Sequence, residues 1–154
     1  MRSLCEHIVS VHHAYLRSEL PRLFGLIDKV ARAHGAEQPE LARLQAVFAD
    51  LAVELEGHMQ KEEIILFPAI RDAEATGAQL PLAAPISVME HEHDDAARAL
   101  EQLRELSDGY QAPAGACNTY RAMLDGLAAL KSDLHRHIHE ENNVLFPRSL
   151  ALAR

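Results

Sequence analysis

The segment HMQKEEIILFP, residues 58–68, returns near the end of the chain as HIHEENNVLFP, residues 137–147. His, Glu, Leu, Phe and Pro hold matching places in the two copies at one common offset, and each copy closes a long segment of helical period. In the later copy the inward stripe runs Met123, Leu127, Leu130, Leu134 and then His137, Glu141, Leu145. In the earlier copy Leu44, Val47, Leu51 and Leu55 lead into His58, Glu62 and Ile65. A polar pair therefore stands where core leucines belong. The i, i+4 spacing sets each His and Glu on one face, a turn apart.

Gly and Pro gather at HGAEQPE (34–40), ATGAQLPLAAP (75–85) and SDGYQAPAGA (107–116), and no strand-like alternation occurs between them. This punctuation predicts helices over residues 3–33, 39–75, 85–108 and 116–150. Pro39 and Pro85 suit first-turn positions, whereas Pro21, Pro68 and Pro147 are expected to kink or terminate their helices. Loops of moderate length favour antiparallel neighbours. The expected fold is all-α, an up-down-up-down four-helix bundle forming one domain over residues 1–154.

The other two helices carry the same kind of stripe. Cys5, Val9, His13, Leu16, Leu20, Leu23, Ile27 and Val30 select His13 over His12, and Ile86, Met89, His93, Ala96, Leu100 and Leu103 select His93 over His91. Each helix then offers one core-facing histidine, and two helices add a glutamate. One core histidine is usually satisfied by hydrogen bonds, but six polar groups together reverse that reading. Two buried carboxylates without a cation cost several kcal/mol each, and no Lys or Arg lies on the stripes. His13, His58, Glu62, His93, His137 and Glu141 exceed the four ligands of a tetrahedral zinc. They suit two metals bridged by both carboxylates, with a shared oxo or hydroxo group, and mixed N,O ligation makes iron the first choice.

His7, His12, His34, His91, His135 and His139 read as surface groups, or as groups that orient a ligand. LFP reads as core packing and a helix end. Glu54 precedes His58 by a turn and Glu92 abuts His93; either could line an approach to the metals, and solvated surface charge is the commoner role. Composition narrows the partners. A net charge of −8 and a pI near 5.6 argue against nucleic acid and anionic membrane as partners. Cys5 and Cys117 are far apart and form no disulfide framework, and the N-terminus has no apolar signal-peptide run, so a cytoplasmic protein with buried or idle thiols is expected.

Two HxxxE helices that each run into LFP, EHD at 92–94 and HHAYLRSELPRL at 12–23 carry a family resemblance over nearly the whole chain. The sequence resembles a hemerythrin-like (HHE cation-binding) domain. Through VARAHG (30–35), ELEGHMQKEE (54–63), ACNTYRAM (116–123) and HIHEENNVLFPR (137–148) it is more closely similar to the di-iron domain of the repair of iron centres (RIC) family. The resemblance implies metal ligands at His13, His58, Glu62, His93, His137 and Glu141, and a channel role for Glu54 and Glu92. RIC members commonly carry an additional N-terminal domain with a cysteine pair, whereas this chain starts in the bundle. Oxygen-carrying hemerythrins, with five histidines and one open iron, resemble it less.

The function implied is a stress-response di-iron protein that helps repair iron-sulfur clusters damaged by nitric oxide or oxidants. It would do so by releasing iron to damaged iron-sulfur proteins or by nitric oxide chemistry, since adjacent open positions suit two diatomics. Whether the chain is an enzyme is left open. The alternatives are a hemerythrin-type O2 or NO sensor or carrier, and a bundle that holds zinc for stability alone.

Overall fold

The computed structural model describes residues 1–152, and among them every long segment is helical. Helix α1 spans residues 2–34, α2 residues 40–76, α3 Ala83–Leu106 and α4 residues 118–152. These bounds lie within a few residues of the expected ones. α1 packs on α2 and α4, and α2 packs on α3, giving the up-down-up-down bundle. Gly77 ends α2 in the left-handed conformation (φ 68°), which favours glycine, and Cys117 starts α4 by accepting the Tyr120 backbone N–H at its Sγ, 3.4 Å away.

Three helices are not α-helical throughout. Ile8–His13 in α1, Glu62–Leu66 in α2 and Glu141–Leu145 in α4 are wound as π-helix, and the latter two occupy the same place in the repeated motif. Such wide turns are uncommon and concentrate at functional sites. They also explain the prolines. Pro68 and Pro147 follow directly on the widened turns, so the ring meets a loosened ladder and the helix continues where a kink or stop was expected. Pro21 likewise lies inside a helical stretch that runs on to His34.

The extra residue in each wide turn shifts the inward register. Ile65, expected inside, is 60% exposed, and Leu66 is buried in its place. In α1, Ile8 and both His12 and His13 are buried, so two adjacent histidines turn inward from the widened turn. The apolar core falls into two clusters. One runs from Leu16, Leu44 and Leu100 to Leu55 and Leu134; the other gathers Cys5, Ile8, Leu66, Phe67, Ile86, Leu145 and Phe146 around the far end of the bundle. The polar residues of the stripes lie between them.

Candidate metal centre

Between the two cores, His13 from α1, His58 and Glu62 from α2, His93 from α3, and His137 and Glu141 from α4 come together, each 4% exposed or less. They form two groups of potential ligands, His13, Glu62, His137, Glu141 and His58, Glu62, His93, Glu141, with the atoms of each group within 4.8 Å of one another. Both glutamates belong to both groups. His13 Nε2 and His58 Nε2 each lie 3.2 Å from Glu62 Oε1; His93 Nε2 is 2.8 Å from Glu141 Oε2, and His137 Nε2 is 2.5 Å from Glu141 Oε1.

The rings are held from behind. His13 Nδ1 donates to Glu63 Oε2 (3.1 Å), His58 Nδ1 to Glu92 Oε1 (3.0 Å) and His93 Nδ1 to Asn142 Oδ1 (2.7 Å). These partners are oxygen acceptors, so the ring proton sits on Nδ1 and the Nε2 lone pair faces inward, the tautomer a metal ligand needs. Glu63 is itself fixed by Arg17, and Glu92 pairs with Lys61. The Phe67 ring stacks on His13 and the Phe146 ring on His93, both with centroids 5.9 Å apart.

The arrangement repeats about a pseudo-twofold axis. Glu63 and Asn142 occupy the same place in the two copies of the motif, as do Phe67 and Phe146, and each serves the histidine of the helix that precedes its own in the chain. LFP therefore combines core packing with a wall against a site histidine.

The donor set fits cations. Glu62 Oε2 and Glu141 Oε2 are buried and accept no hydrogen bond, while the Nε2 atoms of His58 and His93 stand 3.1 Å apart. Two carboxylates and the inward lone pairs of His13, His58 and His93 form a cavity of concentrated negative potential, which divalent ions offset best. Burial opposes protonation of His58, but the nearby Glu141 and Glu62 carboxylates outweigh it and raise its pKa to about 11. Burial likewise opposes ionisation of Glu141, and His137, His58 and His93 nonetheless hold its pKa well below the usual carboxylate range. The same field that draws a proton to His58 and His137 would attract a metal ion.

A cavity of about 310 Å³ reaches the centre from the surface, lined among others by Glu54, Lys61, Glu92, His58, His93 and His137. Glu54 is exposed at its lining, and Glu92 both lines the cavity and fixes His58. Sequence reading did not single out Glu63 and Asn142, although each follows a stripe glutamate. His12, read as a surface or orienting group, is buried; its ring stacks on that of His137 with centroids 5.2 Å apart. His91, His135 and His139 are exposed, and His34 Nε2 lies 3.3 Å from Cys117 Sγ.

Comparison with known proteins places this geometry among relatives. The family described as Hemerythrin HHE cation binding domain matches residues 6–149. The iron-sulfur cluster repair protein YtfE of Pectobacterium carotovorum is 43% identical over 150 residues, covering 97% of this chain and 66% of the relative. YtfE of Enterobacter sp. is 43% identical over 148 residues, covering 96% of this chain and 66% of its own length. The chain thus spans just under two thirds of these relatives.

Proposed function

The chain belongs to the hemerythrin family of HHE cation binding domains, and from that premise we propose that it is a non-heme di-iron protein. In this reading it acts in the nitrosative and oxidative stress response and helps restore damaged iron-sulfur clusters. The observation that carries the reading is the sharing of buried Glu62 and Glu141 between two four-residue ligand groups. His13 and His137 would hold one ion, His58 and His93 the other, and the two carboxylates would span both. Similarity to proteins named for iron-sulfur cluster repair supplies the process.

Iron at such a pair provides adjacent redox-active positions for diatomics such as nitric oxide and dioxygen. The chain's own residues do the rest. Glu63, Glu92 and Asn142 fix the imidazoles, Phe67 and Phe146 wall the pair from solvent, and the cavity lined by Glu54 and Glu92 gives a way in and out. The candidate ligand set contains no thiolate, so it would hold ferrous iron loosely, which suits release to a damaged iron-sulfur protein. Two free thiols, Cys5 and Cys117, agree with work in the cytoplasm, and no described helix is long and apolar enough to cross a membrane.

The test pairs release with repair. Iron-loaded protein, reduced with dithionite, should yield its iron to a ferrous chelator faster than the oxidised protein. It should also restore a nitric-oxide-damaged [4Fe-4S] enzyme, and Glu62→Ala should do neither. Equal release in both redox states together with a stable oxygen adduct would replace this reading with that of a hemerythrin-type carrier or sensor.

A further inference from the structure

Across the His137 ring from the centre, the widened turn of α1 brings His7 and His12 over Glu140 of α4. The two histidines stand at i and i+5, which would point them well apart on an α-helix; π-helical winding returns the chain to nearly the same face. One nitrogen of each ring and one Glu140 oxygen lie within 4.8 Å of one another, with His12 Nε2 3.2 Å and His7 Nε2 3.8 Å from Glu140 Oε2. Ligands bound at about 2.0–2.1 Å to one tetrahedral ion stand about 3.4 Å apart, so these separations bracket those of a shared cation.

Two further features set the cluster apart from ordinary surface charge. The His12 side chain is 5% exposed, yet its Nε2 has no hydrogen-bond partner, and neither has Glu140 Oε2. The two atoms are close without being aligned on each other, as groups directed at a common third point are. His12 Nδ1 in turn donates to Asp133 Oδ1 at 3.1 Å, which leaves the Nε2 lone pair free and repeats the carboxylate-histidine pattern of the main centre.

The pseudo-twofold axis shows what the cluster replaces. The motif offset puts Glu140 in the place of Lys61 and Asp133 in that of Glu54, while His12, like Glu92, immediately precedes the site histidine of its helix. At the cavity mouth the Lys61 cation neutralises Glu92. In the other half the cationic side chain is exchanged for a carboxylate and the carboxylate for an imidazole, so the positive charge has to come from a proton on an imidazole or from a bound cation.

We propose that His7, His12 and Glu140 form a third cation site, taking one divalent d-block ion such as zinc or iron(II) through two nitrogens and a carboxylate, with water completing the coordination. It is separate from the two shared-glutamate groups and lies one ring away from them, across the His12–His137 stack.

Equilibrium dialysis of the full, centre-loaded chain against Zn(II), counting every metal in the same samples, tests the site. Wild type should retain one more equivalent of Zn(II) than His7→Ala or Glu140→Gln, or bind that equivalent at least tenfold more tightly. The exposed His91→Ala control should match wild type. Because a difference between proteins is read, the result does not depend on how many ions the main centre holds. His7 is 48% exposed, so its truncation does not threaten the fold. Identical binding in wild type and the two site variants would overturn the proposal, and so would an equal loss in His91→Ala, which would mark diffuse binding to surface histidines.

Discussion

In the proposed centre, the atoms behind the candidate ligands matter as much as those ligands. Glu63, Glu92 and Asn142 each hold one imidazole in the tautomer that turns Nε2 inward. Glu63→Ala or Asn142→Ala should therefore weaken metal binding by about 10–100-fold in chelator competition, the usual cost of losing such a partner; unchanged affinity would show that packing alone orients the rings. The same geometry separates the two cavity acids. Glu54→Leu removes charge from the lining only, whereas Glu92→Leu also frees His58 and should speed metal loss. The cysteines differ as clearly. Burial pushes the Cys5 thiol up to about 11, while the Tyr120 backbone N–H and then His34 lower the pKa of exposed Cys117. A lowered thiol pKa favours thiolate as pH rises through it, so iodoacetamide near neutral pH should label Cys117 before Cys5, and His34→Ala should slow that labelling. Equal labelling would contradict this.

At the scale of the helix, the π-helical turns divide what could be read in the sequence from what could not. The six stripe residues stood out because His and Glu interrupt leucine stripes at α-helical spacing, a contrast of polarity that needs no coordinates. A widened turn leaves no comparable mark. It adds a residue without changing composition, so Ile65 was expected inside in place of Leu66, and His12 was passed over for His13 although both are buried. Pro68 and Pro147 gave the one local signal, and an ambiguous one, since Pro21 also fails to end its helix with no widened turn just before it. Deleting Ile65 should restore α-helical register and turn Leu66 and Phe67 away from the core, each worth roughly 1.5–3 kcal/mol of burial. Circular dichroism should then show retained helix with a lowered Tm; an unchanged Tm would mean that the wide turn sets nothing downstream of it.

The whole molecule consists of two apolar cores flanking a polar layer, with two similar helical hairpins each supplying half of it. Repetition of the motif made this duplication legible in the sequence, while the exchange of Lys61 and Glu92 for Glu140 and His12 became visible only when the halves faced each other. A layer holding two buried carboxylates should lean on its ions for stability. At free metal about 100 times Kd, binding of each ion adds about 2.7 kcal/mol, which for a domain of this size raises Tm by roughly 5–10 °C per ion. Glu62→Ala should abolish that rise, and a chelator-treated wild type that melts with the loaded protein would argue against the coupling. The central claim, that Glu62 and Glu141 jointly hold two ions, is tested most directly by anomalous diffraction at the iron edge from crystals of iron-loaded protein. Two peaks about 3.5–4 Å apart, flanking the Glu62 and Glu141 carboxylates, are predicted; a single peak, or none touching both glutamates, would contradict the claim.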